Sequence, residues 1–152
     1  MAFGNKLINT STGGGGGGGP VYLAANGVTI IADPSAVSGQ AYVLDGVSYL
    51  VLADKAALIT AFNSGRNMAT TVTTRVTNFF DLFVNVSGWN DAIGNWDTSN
   101  VTNMNWMFGE TDDFNQNLTW WCVTNIPNEP DNFARKNRDF QESNWPDWGT
   151  CP

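Results

Sequence analysis

Two successive stretches carry the strongest pattern in this sequence: "VTNFFDLFVNVSGWNDAIGNWDTSN" (residues 76–100) and "VTNMNWMFGETDDFNQNLTWWCVTN" (residues 101–125). We call them the first copy and the second copy, because they align with each other over their whole length when Val76 is placed on Val101. A third copy opens at Ile126, keeps Phe133 in place of Phe108, and is one residue longer after that point. The aligned pairs include Val76 with Val101, Asn78 with Asn103, Phe83 with Phe108, Asn90 with Asn115, Ile93 with Leu118, and Trp96 with Trp121.

A period in the twenties with apolar residues at fixed offsets is typical of a solenoid, in which each unit buries its apolar face against its neighbours. In each unit we expect a short strand (101–104), a helical turn (106–109) and a return limb (114–121). The residues predicted to form the repeat core are Val76, Phe83, Ile93, Trp96, Val101, Met104, Phe108, Phe114, Leu118 and Trp121.

Asparagine also recurs one unit apart, at Asn78, Asn103 and Asn128. We expect these side-chain amides to bond open backbone groups of the next unit, with glycan binding as the alternative.

The chain before the repeats divides into three parts. Residues 1–12 form a short N-terminal peptide, and residues 13–20 form a glycine-rich linker, because nothing there can fill a core. Residues 21–75 contain short β-branched runs with Asn-Gly and Asp-Gly turn signals, followed by a helical pattern with Asp54 as its N-cap. This segment predicts a small antiparallel β unit with one helix, which caps the repeat region of residues 76–152.

The composition excludes several classes of function. The formal net charge is −7 with 7 Lys and Arg residues, which makes nucleic acid a poor partner. Histidine is absent, which removes the most common general base and metal ligand and argues against an enzyme. No run reaches the roughly 18 apolar residues of a membrane span, so we expect no membrane insertion.

Two groups of residues leave alternatives open. Cys122 and Cys151 are either two buried thiols or a disulfide that closes the chain end. The acidic cluster Glu110, Asp112 and Asp113 is interpreted as a set of solvated turn carboxylates. A Ca²⁺ site and a pair of glycosidase carboxylates are the weaker interpretations of this cluster, and we expect no cofactor.

The repeats resemble those of the BspA-like, Mycoplasma-lipoprotein-type surface proteins. The resemblance depends on a "FNQ-(D/N)-(I/L)-x-x-W-x-(V/T)-S-x-V-T-N-M-x-x-M-F" pattern, covers residues 76–125 well and 126–152 in part, and leaves residues 1–75 outside. It implies leucine-rich-repeat-like solenoids on bacterial surfaces, and similar repeats occur in structural proteins of marine bacteriophages. The pattern residues are Phe114, Asn115, Gln116, Leu118, Trp121, Trp96, Thr98, Ser99, Val101, Thr102, Asn103, Met104, Met107 and Phe108.

The predicted fold class is therefore α+β: a small N-terminal antiparallel β unit plus a helix, capping a short leucine-rich-repeat-like solenoid of two to three 25-residue coils. The predicted function is that of a non-enzymatic structural protein on a bacteriophage virion surface, as a capsid decoration or tail appendage, multimeric in the particle. Adhesion to the host surface or to the particle surface is the expected role, with a host-surface glycan or protein as a further partner. Its N-terminal peptide would anchor it to other virion proteins through Phe3, Leu7 and Ile8. The capsid or tail position, the copy number and the ligand stay open.

The alternative function is a bacterial cell-surface module that binds a glycan or a protein. Exposed indole rings suit sugar faces, and the candidates for ligand contact are Trp89, Trp106 and Trp120. Packing in the core or in a cap is the competing interpretation of these three side chains.

Overall fold

The structure is a computed structural model that describes residues 10–11 and 19–152. The predicted anchor residues Phe3, Leu7 and Ile8 and most of the predicted linker lie outside the described residues. The strands are β1 (Thr10–Ser11), β2 (Val21–Leu23), β3 (Ile30–Ala32), β4 (Ala41–Leu44), β5 (Val47–Val51) and β6 (Thr71–Val72). The helix α1 spans Lys55–Asn63, and short 3-10 segments span Met68–Thr70, Ile93–Asn95 and Glu142–Asn144.

These strands form two small sheets. One has the order β1-β4-β5-β6, and the other pairs β2 with β3. Asp45 and Gly46, both at positive φ, form the two-residue turn between the antiparallel strands β4 and β5, as the Asp-Gly signal predicts. The first sheet is nevertheless mixed and not purely antiparallel, because β1 pairs with β4, and β6 with β5, in parallel.

The helix α1 begins where its capping residue predicts. The Asp54 carboxylate accepts a hydrogen bond from the Ala57 backbone N–H at 2.9 Å, which confirms the predicted N-cap. Leu58 and Ala61 point inward from α1 and join the core of the repeat region. No helix among the described residues has the length and apolarity needed to span a bilayer.

The predicted fold class is wrong. The regular secondary structure of the described residues is two small β-sheets and one α-helix, and residues 76–152 contain neither the predicted strands nor helices of a leucine-rich-repeat-like solenoid. The segment 101–104 is reduced to an isolated bridge at Asn103, and 106–109 is a turn in which Trp106 has a φ of 61°. The physical reason is the backbone: left-handed residues recur every few positions and interrupt any strand or helix.

The described residues form two hydrophobic cores. The smaller lies between the sheets, around Val51 and Val72. The larger fills residues 76–140 together with α1, and all ten residues predicted for the repeat core are 0 % exposed in it.

Candidate interaction surface

Neighbouring copies are joined by backbone hydrogen bonds. Amides on alternate residues of the first copy donate to carbonyl oxygens on alternate residues of the second copy, over distances of 2.8 to 3.0 Å. The second copy donates to the third in the same way, at 2.7 to 3.0 Å. The four bonds from the first copy run from Phe79 to Asn103, Asp81 to Asn105, Phe83 to Met107, and Asn85 to Gly109. The three from the second run from Trp106 to Asp131, Phe108 to Phe133, and Glu110 to Arg135.

The left-handed residues show which positions are equivalent. Their φ angles lie between 52° and 63° in all three copies, at Asp81, Trp106 and Asn132 and again at Asn85, Glu110 and Lys136. The sequence separation between equivalent left-handed residues is one position larger from the second copy to the third than from the first copy to the second. The extra residue of the third copy therefore lies before Asn132, whereas the sequence alignment had placed it after Phe133. As a result, Ala134 occupies the backbone position that Phe83 and Phe108 occupy in the earlier copies.

Aromatic side chains of the first and second copies also pack against each other in the core. The Trp96 and Trp121 rings are 6.1 Å apart at an interplanar angle of 4°, so the two indoles are stacked. Each indole N–H donates at 3.0 Å to a backbone carbonyl earlier in the chain, that of Met68 for Trp96 and that of Ile93 for Trp121. The two tryptophans thus satisfy their polar atoms in the core, and neither has a face free for a ligand.

The asparagine side chains are also used internally, though not as predicted. Asn78 and Asn103 accept hydrogen bonds from backbone amides two residues on, at 2.8 and 3.0 Å, within their own copy. Other side-chain amides reach a preceding segment, among them those of Asn100 and Asn125, which donate to the carbonyl oxygens of Thr74 and Ser99, each at 2.7 Å. Sequence reasoning found the recurrence of asparagine but chose the wrong asparagines for the contact between copies.

The three tryptophans predicted for ligand contact occupy different environments. Trp89 is half-buried and stacks on Phe114 with ring centroids 5.2 Å apart. Trp106 is half-buried beneath the Arg135 guanidinium, which lies 5.3 Å from its ring centroid. Trp120 is 41 % exposed. No ring contact joins any two of the three within the described residues.

The acidic cluster is engaged with neighbouring copies. The Glu110 carboxylate accepts a hydrogen bond from Lys136 at 2.7 Å, and this bond, together with the charge of Lys136, lowers the pKa of Glu110. Asp113 accepts from the Gly88 backbone N–H at 2.9 Å, and the Asp112 side chain is exposed. Within residues 10–11 and 19–152, no group of three or more His, Cys, Asp or Glu side chains is arranged to hold a metal ion.

A disulfide joins Cys122, at the end of the second copy, to Cys151, one residue before the last position. Of the alternatives that the sequence left open, the structure has the bonded pair. The bridge closes a loop that contains the third copy, and so it fixes the segment around Cys151 to the second copy.

Comparison with known proteins places most of the chain in a family. The model of a family described as "Mycoplasma protein of unknown function, DUF285" matches residues 54–150. No curated protein and no solved structure matches the chain. The family match begins at the N-cap of α1, ahead of the repeats that carry the resemblance, and it supports the Mycoplasma-type part of that resemblance. It fits the cell-surface alternative and provides no link to a phage particle. Because the match covers more than half of the 152 residues, the chain belongs to the DUF285 family.

Proposed function

We propose that this protein is a non-enzymatic display module, which holds a folded head at a surface and contacts partners with the exterior of that head. The observation that carries the proposal is the continuous contact between copies, closed by the Cys122–Cys151 disulfide. Residue types that serve as ligand groups in other proteins, such as asparagine, tryptophan and carboxylates, here bond neighbouring copies of the repeat. Because these side chains are already bonded within the scaffold, it is better suited to presenting its exterior to a partner than to catalysing a reaction.

The family match favours a bacterial cell as the carrier of this head. The virion surface expected from the sequence is the competing carrier, and a multimeric arrangement there stays a prediction. In both cases we propose that the N-terminal peptide attaches the head, through the apolar side chains of Phe3, Leu7 and Ile8. The strand β1, at Thr10–Ser11, pairs with the edge of β4 and so brings the end of that peptide to the first sheet.

Two fractions from the source test the proposal. Intact cells are labelled with a membrane-impermeant biotin reagent, and purified particles are analysed by mass spectrometry. We expect the full chain among the labelled surface proteins of the cell, or at a fixed stoichiometry in the particles. Recovery only from the unlabelled interior of the cells would refute the display function.

Paired variants of the full chain test the anchor. Leu7→Asp with Ile8→Asp replaces apolar side chains by charges, so we expect most of the protein to detach from its carrier. Asn5→Asp with Asn9→Asp introduces the same number of charges into the same peptide and leaves the apolar side chains in place. Equal attachment of the two double variants would refute the anchor and leave the display function to be decided by the fractionation.

One observation favours ligand binding by the head. Trp120 is 41 % exposed, while Trp121 beside it is 0 % exposed, so the chain presents one of two adjacent indoles to solvent. An exposed indole face suits a sugar ring or an apolar side chain. If the head binds a glycan, Trp120→Ala should abolish the signal on a glycan array. Trp106→Ala should keep the signal, because that ring is covered by Arg135.

A further inference from the structure

The hydrogen bonds between copies form three columns of aligned peptide groups. In each column a first-copy amide donates to a second-copy carbonyl, and the N–H of the same second-copy peptide group donates to a third-copy carbonyl. The first column passes through Asp81, Asn105, Trp106 and Asp131, the second through Phe83, Met107, Phe108 and Phe133, and the third through Asn85, Gly109, Glu110 and Arg135.

Aligned peptide dipoles leave a partial negative charge at the carbonyl end and a partial positive charge at the N–H end. At the carbonyl end, the Phe80 oxygen accepts a hydrogen bond from the Lys55 ammonium, which has the sign expected to stabilise that end. At the other end are the amides of Asn132, Ala134 and Lys136. Within the described part of the chain these three amides have no hydrogen-bond partner, although their equivalents in both earlier copies have one.

A groove adjoins the Ala134 position of this edge. It has a volume of about 490 Å³ and is lined by Ala134, Phe140 and Trp145 and by the polar residues Asn137, Gln141, Glu142 and Ser143. Ala134 occupies the backbone position at which the two earlier copies carry Phe83 and Phe108, so the side chain at this position is smaller in the third copy. The Nε1 atom of Trp145 is buried and has no partner among the described residues.

We propose that this open edge, defined by the amides of residues 132, 134 and 136 and the adjoining groove, binds an extended segment of a partner polypeptide. The segment would offer backbone carbonyls on alternate residues to the three amides and one side chain to the groove. In this arrangement the partner extends the columns, as the second copy does for the first.

Spacing and charge favour a polypeptide over a small anion. Three amides on alternate residues need acceptors that recur along a chain, and in both internal contacts alternate backbone carbonyls supply them. The local charge carries no excess of cations, so a free anion gains little net attraction. The cations are Arg135, Lys136 and Arg138, and the carboxylates are Asp131, Asp139, Glu142 and Glu110, the last paired with Lys136.

The second copy provides a probe. A synthetic peptide with the sequence of residues 101–112, VTNMNWMFGETD, contains the carbonyl oxygens to which the first-copy amides donate. It is titrated into the isotope-labelled full chain while amide resonances are followed by NMR. We expect downfield shifts of the Asn132, Ala134 and Lys136 amides, and little change at the Phe108 amide, which already has a partner.

Two variants at one position provide the control. Ala134→Gly keeps the central N–H and should bind the peptide as the wild type does. Ala134→Pro removes the N–H and should weaken binding by about three- to tenfold, the effect of one net hydrogen bond. If the proline variant does not fold, the wild-type titration still decides the outcome.

Several results would overturn the proposal. Absence of shifts at the three amides, or shifts that map to another surface, would exclude peptide binding at this edge. If inorganic phosphate produced the same shifts at millimolar concentration, the edge would be an anion site. If the shifts appeared on raising the protein concentration without peptide, the occupant would be a second copy of the chain. The proposal concerns the edge alone, so the outcome of the titration does not depend on whether the head is displayed on a cell or on a virion.

Discussion

Replacing Phe108 by alanine should strongly destabilise the fold, because this ring lies where all three copies meet. The side chain is 0 % exposed. Its ring centroid lies 5.7 Å from Phe83, 4.3 Å from Phe114, and 5.4 Å from both Phe133 and Phe140. Rings on all sides belong to segments that are fixed by backbone hydrogen bonds, so the cavity cannot collapse easily. We expect a loss of about 4 kcal/mol in the free energy of unfolding, within the range for buried Phe→Ala changes.

Urea unfolding followed by tryptophan fluorescence measures this loss. With a denaturant slope of about 2 kcal/mol per molar urea, a loss of about 4 kcal/mol lowers the midpoint by about 2 M. Phe80→Ala is the matched control, because Phe80 lies in the first copy but is 40 % exposed. The control should lose less than about 1 kcal/mol.

The comparison between the two variants decides the result. If Phe108→Ala lost no more stability than Phe80→Ala, the contact between copies could not be the main source of stability, and the description of the core given above would be refuted. A change in the denaturant slope without a change in midpoint would instead indicate a change in the compactness of one of the two states.

Three further changes test separate contacts. Gly94→Ala should destabilise the protein by about 1–3 kcal/mol in the same urea assay, because an added Cβ would lie 2.6 Å from a second-copy backbone oxygen; unchanged stability would mean that the copies are further apart. Reducing the Cys122–Cys151 disulfide, whose cysteines are 29 positions apart, should lower stability by about 3–4 kcal/mol by the loop-entropy relation, and an unchanged thermal midpoint in reductant would contradict this. Lys136 lowers the pKa of Glu110, so this pair stabilises the fold above the unfolded-state pKa of glutamate, and its contribution is lost as the pH falls through the lowered value. The variant Lys136→Gln should therefore raise the midpoint of Glu110 in an NMR titration of the carboxyl groups. An unchanged midpoint would exclude the interaction.

The sequence predicts the core better than the backbone. Alignment of the first copy with the second identifies Phe83 and Phe108 as equivalent, and both are fully buried, because burial follows directly from an apolar residue recurring at a fixed offset. The β4–β5 turn and the cap of α1 were also predictable, since Asp-Gly and Asp54 act through local chemistry. Local signals of this kind do not depend on the rest of the fold.

The predicted strand and helical turn failed for a physical reason. Trp106 and Glu110 adopt left-handed φ angles. Their residue types do not predict this conformation, because residues with a Cβ rarely occupy the left-handed region. The contact with the next copy holds them there, through the hydrogen bonds from the Trp106 amide to Asp131 and from the Glu110 amide to Arg135. Such a constraint arises from a tertiary contact, which cannot be derived from the pattern of a single sequence.

The candidate surface was predicted only in part. The tryptophan pattern alone could not separate Trp120, which is exposed, from Trp89, which stacks on a ring of the second copy. The open edge of the third copy was not found, because residue type does not reveal which backbone amides lack a hydrogen-bond partner. The shift of register at Asn132 could have been suspected from the extra residue, but its position needed the backbone angles.

Native-state hydrogen exchange of individual amides tests the central claim most directly, namely that each copy bonds to the next through alternate backbone amides. Exchange at Phe83 and Phe108, whose amides donate at 2.9 and 2.8 Å, should require global unfolding, whereas the Ala134 amide should exchange through local motion alone. Equally rapid exchange at all three positions would contradict the account.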